Sequence, residues 1–376
     1  MNYPSWKVGV LFSKTGPLAV IEETQLRGTL LAIDEINDQG GINGRPIETV
    51  YYDPGSDASV FGKYAKKMMV EDGISTIFGC YSSSSRKSVV PVVERLNGLL
   101  WYPTVYEGFE FSTNVIYTGA APNQNCVELC NFLMQHYGNR FYFVGTDYVY
   151  PRVSNKIVRE FVTSNGGEVV GEKYVGLTAQ HHEYAPIMRD IYNLKPDVIF
   201  STVVGKSTSD FYQSYMDFGF NPKEMPIASL TTTEAEIYAM GTDVGEGHIT
   251  GAPYFEGLNN NASLSFTKRY KQRYGVDEHT NTCVETAYFQ VHMFAEALKK
   301  SNSLNTDRLR ANVLGIDFDA PQGNVAINLS GGHADVWTRV GRATRSGLFD
   351  ILYASKSAVV ADPYLLSYGA KRQFAC

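Results

Sequence analysis

The sequence predicts an α/β fold made of two doubly wound parallel-sheet lobes, joined by a hinge that the chain crosses several times. Strand-like apolar runs alternate with longer helical patterns almost throughout the chain, in two successive series without a low-complexity linker between them. We expect residues 1–120 and 254–328 to form the N-terminal lobe, and residues 121–253 and 329–376 the C-terminal lobe. Because ligands of open α/β sheets bind outside the carboxyl ends of the strands, we expect a ligand cleft between the lobes.

The first series follows a βαβ order with short turns, which is typical of a parallel sheet covered on both faces. Its helical segments repeat apolar residues at spacings of three and four, and its strands are short apolar runs. The predicted strands are Val8–Phe12, Pro46–Tyr52, Ser75–Phe78 and Leu99–Tyr102, and the predicted helices are Leu26–Ile36, Asp57–Val70 and Ser85–Leu96.

The second series begins after residues 120–123 and repeats this alternation. Its predicted helices are Cys126–Tyr137, Ser154–Ser164, His182–Leu194 and Asp210–Phe218, and its predicted strands are Arg140–Thr146, Gly167–Tyr174, Asp197–Thr202 and Pro226–Ser229. The segment Ile249–Phe255 then leads into helical segments at Ser263–Tyr274 and Cys283–Lys300. The tail from Gly323 to about Tyr353 is typical of short antiparallel strands, with a hairpin turn at Gly331-Gly332.

The composition excludes several classes of protein. The 376 residues are 44% hydrophobic and 19% charged, which is ordinary for a folded globular protein. The chain has 33 Lys and Arg residues and 39 Asp and Glu residues. This net charge of -6 argues against direct binding to the nucleic-acid backbone. No apolar run reaches the roughly 18 residues of a membrane span, so we expect no membrane insertion.

Catalytic and metal-binding signatures are missing from the sequence. Gly205-Lys206-Ser207 supplies the end of a phosphate loop, but Phe200 stands where its first Gly belongs. No Gly-x-Gly-x-x-Gly follows the first strand, and no nucleophile elbow or metal-ligand spacing of histidines is present. Cys126 and Cys130 lie four residues apart on a predicted helix, where buried packing is a better interpretation than zinc binding. We therefore expect a protein that is not an enzyme and holds no cofactor or metal.

Hydroxyl side chains are concentrated after the predicted strands. Gly79-Cys80-Tyr81 leads into four serines, 82–85, and helix capping explains only one or two of them, so we expect Ser83 or a neighbour to contact a ligand. Tyrosine rings can pack against a small ligand while their hydroxyls bond it. Comparable clusters at other strand ends contain Tyr102, Thr104, Tyr148, Tyr150 and Thr231.

Few ionisable groups occur in these clusters. An amino-acid ligand needs a buried partner for its ammonium group, and only Glu234 and Asp147 are candidates. Either of them can instead cap a helix. We therefore favour a small neutral ligand that is rich in hydrogen-bonding groups.

Longer motifs resemble the type I periplasmic-binding-protein fold, and specifically its amide- and urea-binding branch, over nearly the whole chain. The resemblance rests on segments 11–16, 40–47, 85–92, 106–108, 121–125, 145–148 and 320–323. Two kinds of relative compete: the urea- or amide-binding component of an ABC transporter, and the cytoplasmic amide sensors that negatively regulate aliphatic amidase operons. The sequence is more similar to the sensors at residues 79–81, 201–205, 228–232 and 362–364.

The resemblance implies a pocket for a short-chain aliphatic amide or urea. Its lining would comprise Tyr81, Ser83, Tyr102, Thr104, Tyr148, Tyr150 and Thr231, together with Val105. Val105 stands where the sensors have Pro, which leaves the size of the pocket and the preferred amide open. The resemblance implies an RNA-binding antiterminator as the partner of a sensor, and an ABC permease as the partner of the transport alternative.

The start of the chain and its cysteines bear on location. No secretory signal precedes the first strand, so we expect a cytoplasmic protein, or a periplasmic one whose signal has been removed. The five cysteines, Cys80, Cys126, Cys130, Cys283 and Cys376, are scattered and lack a disulfide-like pattern, as expected in a reducing compartment. Cys80 is expected to lie beside the ligand through packing rather than chemistry.

Overall fold

The computed structural model describes residues 4–329 and 331–367. Its strands are β1 Trp6–Leu11, β2 Ile47–Tyr51, β3 Thr76–Gly79, β4 Leu99–Tyr102, β5 Val115–Tyr117, β6 Arg140–Thr146, β7 Glu168–Val175, β8 Val198–Thr202, β9 Ile227–Ser229, β10 Ile249–Ala252, β11 Asp317–Ala320, β12 Gly323–Ile327, β13 Ala334–Asp335, β14 Arg339–Ala343 and β15 Phe349–Ala354. Its helices are α1 Ala19–Asp38, α2 Ala58–Val70, α3 Ser83–Arg95, α4 Pro122–His136, α5 Val149–Ser164, α6 Ala185–Leu194, α7 Ser207–Asp217, α8 Glu234–Met240, α9 Thr242–Gly245, α10 Asn261–Tyr274, α11 Thr282–Ser301 and α12 Thr306–Val313.

The chain divides into two compact units. The first unit contains the described residues up to Thr104, together with Phe111–Gly119 and Leu258–Val336. The second unit contains Val105–Glu110, Ala120–Gly257 and the described residues from Trp337 onward. Each unit is therefore assembled from segments that are distant in the sequence.

The first unit contains a parallel sheet with the strand order β2-β1-β3-β4-β5. Phe294 of α11 packs against this sheet, with its ring at 5.2 Å from Phe78 and 6.0 Å from Trp101, in edge-to-face contacts. Helix α1 packs closely on α11 because Gly28 has no side chain. A Cβ at Gly28 would lie 2.3 Å from the carbonyl oxygen of Val284. A second sheet, β11-β12-β13, is antiparallel.

The second unit contains a seven-stranded sheet with the order β15-β14-β10-β9-β8-β6-β7. Strands β6 to β10 pair in parallel, and β14 and β15 add an antiparallel edge. Alternate side chains of β6 enter two hydrophobic cores, with Phe141 and Phe143 on one face and Tyr142 and Val144 on the other. Because both faces are buried, the strand is a continuous apolar run rather than an alternating one.

The predicted fold class is confirmed: the chain is α/β, with a parallel sheet at the centre of each of two lobes. Among the described residues, no helix combines the length and the hydropathy that crossing a bilayer requires. The predicted hairpin turn at Gly331-Gly332 lies between the antiparallel strands β12 and β13. The predicted antiparallel tail is divided between two sheets, since β14 and β15 join the sheet of the second unit.

The largest differences from the predicted elements concern where helices begin. Helices α1, α4 and α5 begin at Ala19, Pro122 and Val149, four or more residues before the predicted starts. Helix α4 begins with Pro122 and polar residues, and α5 has Pro151 in its first turn, so their apolar repeats begin later. In α1, the polar run Glu22–Gln25 interrupts the apolar repeat before Leu26. Strand β5 and helices α8, α9 and α12 were not predicted, because each is short.

The two units divide the chain at different places from the predicted lobes. Residues 105–110 group with the second unit, where Phe109 N donates to the carbonyl oxygen of Pro363 at 3.0 Å. Residues 254–257 also group there, and Phe255 packs on Phe349 with ring centroids 4.8 Å apart. Residue 329 and residues 331–336 belong to the first unit. There the ring of His333 stacks on that of Tyr117, with centroids 4.4 Å apart.

Candidate ligand-binding site

The turn after β3 begins the candidate site of the first unit. Cys80 adopts a left-handed backbone conformation with φ of 72°, and its N–H donates to the carbonyl oxygen of Leu11 at 3.1 Å. The preceding Gly79 allows this close approach, because a Cβ there would lie 2.6 Å from the same carbonyl oxygen. Strained backbone of this kind persists where the surrounding structure enforces it, and it places Tyr81 and the serines at the carboxyl edge of the sheet.

The four serines after this turn have distinct roles. Ser82 caps α3, because its Oγ accepts a hydrogen bond from Ser85 N at 3.0 Å. Ser85 Oγ donates in turn to the carbonyl oxygen of Ser82 at 2.7 Å. Ser83 is only 2% exposed, and its Oγ accepts from Nη1 of Arg86 at 3.4 Å. The cap therefore does not require the hydroxyl of Ser83.

Tyr102 and Thr104, which follow β4, both bond to this turn. Tyr102 Oη donates to the carbonyl oxygen of Tyr81 at 2.9 Å, and Thr104 Oγ1 donates to the carbonyl oxygen of Cys80 at 3.3 Å. The guanidinium of Arg86 lies over the Tyr102 ring, 4.8 Å from its centroid. The structure thus brings Tyr81, Ser83, Tyr102 and Thr104 into one connected group, which we call the strand-end cluster. Whether it binds a ligand stays a prediction.

Two further members of the strand-end cluster were not predicted from the sequence. Gln25 of α1 is fully buried, and its Nε2 donates to Thr104 Oγ1 at 2.8 Å. Its Oε1 is buried without a hydrogen-bond partner among the described residues. Arg86 is also fully buried, one helical turn after Ser83. The spacing of three residues between Ser83 and Arg86 was the available signal for Arg86, whereas nothing in the sequence connects Gln25 with Thr104.

A buried carboxyl group lies near this edge of the sheet. Glu22 Oε2 accepts from Ser13 N at 2.7 Å, just after β1. Burial raises the pKa of Glu22 to about 7, although the hydrogen bonds from Ser13 oppose this rise. Burial also raises the pKa of the Cys80 thiol far above its usual value, so this thiol stays protonated and contributes packing.

The tyrosines of the second unit lie at the start of α5, which follows β6. Tyr148 is the residue before the helix, and Tyr150 lies in its first turn and is buried. Their ring centroids are 6.3 Å apart. Asp147 is exposed and accepts from Arg152 Nε at 2.7 Å, and this hydrogen bond lowers the pKa of Asp147. Asp147 is therefore a surface ion-pair residue rather than a buried partner for a ligand.

The segment after β9 contains Thr231 and Glu234. The N–H of Thr231 donates to Ser229 Oγ at 3.1 Å, and Thr231 is buried. Glu234 is 1% exposed, and its Oε1 accepts from Glu256 N at 2.9 Å. Its Oε2 has no hydrogen-bond partner in the described part of the chain. Burial raises the pKa of Glu234 to about 8, so this carboxyl group is mostly protonated at neutral pH.

The remaining predicted residues occupy less informative positions. Val105 is half-buried and groups with the second unit, although its neighbour Thr104 groups with the first. Cys126 and Cys130 are buried in a hydrophobic core, as expected, and burial raises the pKa of Cys126 to about 12. Cys376 lies outside the described residues.

Comparisons with known proteins identify relatives along most of the chain. A family model described as "Periplasmic binding protein domain" matches residues 6–369. The leucine-, isoleucine-, valine-, threonine- and alanine-binding protein of Pseudomonas aeruginosa is 23% identical over 334 residues, which cover 86% of this chain and 86% of that protein. A limonene hydroxylase of Geobacillus stearothermophilus is 28% identical over 126 residues, which are 34% of this chain and only 23% of that protein.

Solved structures share the fold at low sequence identity. A solute binding protein of an ABC transporter from Rhodopseudomonas palustris HaA2, in complex with p-hydroxybenzoic acid, gives a TM-score of 0.87 at 20% identity. The match covers 97% of this chain and 100% of that chain. At this identity, the similarity establishes the fold, whereas the ligand has to be argued from the residues of the site.

Proposed function

The chain belongs to the periplasmic binding protein domain family, and from this premise we propose that it binds a short-chain aliphatic amide or urea. The strand-end cluster is the observation that supports this proposal. Hydroxyl and amide groups of Ser83, Tyr102, Thr104 and Gln25 meet there, at the carboxyl edge of a parallel sheet where ligands of such folds bind. An amide needs both donors and acceptors at close range, and these groups can provide both.

The ionisable groups support a neutral ligand. Asp147 is paired with Arg152 at the surface, and the buried Glu234 is mostly protonated at neutral pH. A protonated carboxyl group can donate a hydrogen bond to a ligand carbonyl, but it cannot balance an ammonium group. The cation of the cluster, Arg86, is buried against Tyr102 and donates to Ser83. Arg86 is also the group that would pair with an anionic ligand. The affinities of a carboxylic acid and of the corresponding amide therefore have to be compared directly.

The experiment is calorimetry with acetamide, propionamide and urea, alongside acetate and leucine. Acetate has nearly the shape of acetamide and differs in charge, so it isolates the contribution of charge. We expect the neutral compounds to bind and acetate and leucine to bind at least about tenfold more weakly. Binding of leucine or acetate, with no binding of any neutral compound, would overturn the proposal. Incubation with acetamide and an ammonia assay tests the prediction that the protein is not an enzyme.

We further propose that the protein is the periplasmic solute-binding component of an ABC transporter and delivers its ligand to a membrane permease. The relatives that match most of the chain support this role, because their names describe binding proteins and one belongs to an ABC transporter. Neighbouring permease and ATPase genes are the expected observation, and their absence would count against transport.

An amide sensor that sequesters an RNA-binding antiterminator is the second candidate function. One observation favours it: three of the four segments that are more similar to such sensors, 79–81, 201–205 and 228–232, follow or overlap the ends of β3, β8 and β9, whereas the fourth, 362–364, does not follow a strand. The similarity thus falls where the fold places ligand-binding residues. Neighbouring amidase and antiterminator genes, and a complex with the antiterminator that acetamide dissociates, would favour the sensor over the transporter.

A further inference from the structure

A pocket lies in the first unit, near the amino end of β5, whereas the strand-end cluster lies at the carboxyl ends of the neighbouring strands. Val115 and Ile116, at the amino end of β5, form part of its wall. The strand-end cluster follows the carboxyl ends of β3 and β4, which run parallel to β5. The pocket is therefore separate from the proposed amide site, and an inference about it goes beyond the proposed function.

The wall of the pocket is mostly apolar and contains one charged side chain. Phe111 and Leu314 line it while remaining 50% and 39% exposed, and Val313 of α12, which is fully buried, also lines it. Arg310, one turn earlier on α12, is the charged lining residue. Its guanidinium makes no ion pair or hydrogen bond with any residue of 4–329 or 331–367. A half-buried cation beside an apolar wall matches a ligand with one anionic end and one apolar end.

The size of the pocket limits the apolar part of the ligand. Its volume is about 180 Å³. An apolar cavity of about 150 Å³ holds benzene in another protein, so this pocket suits an apolar group of about six carbons.

The walls are held in place before any ligand binds. Tyr117 N donates to the carbonyl oxygen of Gly332 at 2.9 Å, which joins β5 to one of the residues that line the pocket. Likewise, Ser112 Oγ donates to Glu94 Oε1 at 2.7 Å. A preformed pocket loses little entropy when it binds a ligand, which favours binding even of a small molecule.

We propose that this pocket binds a small amphipathic monocarboxylate, with its carboxylate at Arg310 and its apolar chain against Val115, Ile116 and Leu314. Such a ligand satisfies the guanidinium and covers apolar surface at the same time. A neutral molecule with the same chain would not give the guanidinium of Arg310 an anionic partner. The pocket should therefore prefer an acid over the corresponding alcohol.

The test compares hexanoate with 1-hexanol in the presence of saturating acetamide. Methyl NMR spectra should show that hexanoate shifts resonances of Val115, Ile116 and Leu314, with a dissociation constant in the millimolar range. Hexanoate should bind about three- to tenfold more tightly than hexanol, because one charge-assisted hydrogen bond distinguishes them. Arg310→Gln should abolish this preference, Arg310→Lys should retain part of it, and Leu314→Asp should weaken both compounds.

Three results would overturn the proposal: no methyl shifts with either compound, an unchanged preference in Arg310→Gln, or displacement of hexanoate by acetamide. The last result would place hexanoate in the amide site instead. If acetamide itself does not bind, the methyl shifts still locate hexanoate, so failure of the proposed function and failure of this pocket remain distinguishable.

Discussion

Replacing Ser83 with Ala is the sharpest test of the strand-end cluster. The substitution removes one hydroxyl group and leaves the backbone of α3 intact, because Ser82 and not Ser83 caps the helix. Ser83 is 2% exposed, so its side chain is shielded from water that could replace the lost hydrogen bond. The hydrogen bond that Ser83 Oγ accepts from Arg86 Nη1 is long, at 3.4 Å, and should contribute little to stability.

The expected loss of affinity follows from the small size of the ligand. Acetamide has four non-hydrogen atoms, and at about 1.5 kcal/mol per atom at best it can gain about 6 kcal/mol, which corresponds to tens of micromolar. Loss of a buried hydrogen bond to the ligand costs about 1–3 kcal/mol. The Ser83→Ala variant should therefore bind acetamide about five- to 150-fold more weakly, which moves the dissociation constant towards the millimolar range.

Calorimetry at constant pH measures this change, and two neighbouring serines provide matched controls. Ser84→Ala alters a half-exposed residue in the same helical turn and should leave affinity unchanged. Ser82→Ala removes the cap and should lower the free energy of unfolding by about 0.5–2 kcal/mol. Wild-type affinity in a folded Ser83→Ala variant would refute the assignment of Ser83 to the ligand. A loss of stability equal to that of Ser82→Ala would show that its role is structural.

Three further changes test other parts of the structure. Glu234→Gln mimics the protonated acid, so affinity for acetamide at pH 6.5 should stay within about twofold; a loss greater than tenfold would show that the charged form binds the ligand. The pKa of Glu234 is raised on folding to about 8, so its contribution to stability is full below the unfolded value of 4.5 and is lost as pH rises through about 8. Guanidinium chloride unfolding at pH 5 and pH 9 should accordingly show a smaller decline in the free energy of unfolding for Glu234→Gln than for the wild type, and an equal decline would contradict the burial argument. Gly28→Ala places a Cβ against the Val284 carbonyl and should lower the free energy of unfolding by about 1–3 kcal/mol, whereas Gly176→Ala, which has no neighbour within 4 Å, should change it by less than about 0.5 kcal/mol. Tyr150→Phe removes a buried hydroxyl at the start of α5 and should weaken acetamide binding by about 1 kcal/mol; unchanged calorimetric affinity would remove this hydroxyl from the site.

The sequence by itself determined the order of most strands and helices, although the short elements β5, α8, α9 and α12 were not predicted. The strands Leu99–Tyr102 and Arg140–Thr146 agree with their predicted bounds, because a strand buried on both faces is a continuous apolar run bounded by polar or turn residues. It also located Ser83 and Tyr102 at strand ends, where the alternation of strands and helices indicates the ligand-binding edge. The role of each serine was not predictable, since four adjacent hydroxyls are equivalent until the helix start at Ser83 is known.

Only the tertiary structure decided which distant side chains join that edge. Gln25 bonds to Thr104 across 79 positions, because the fold brings α1 to the segment that follows β4. Arg86 points into the core rather than towards solvent, although a charged residue in a helix is usually exposed. Local periodicity indicates which face of a helix or strand is buried, but it does not indicate which residues pack against that face. The strand-end hydroxyls were therefore visible in the sequence, whereas their amide and guanidinium partners depended on packing between elements that are far apart along the chain.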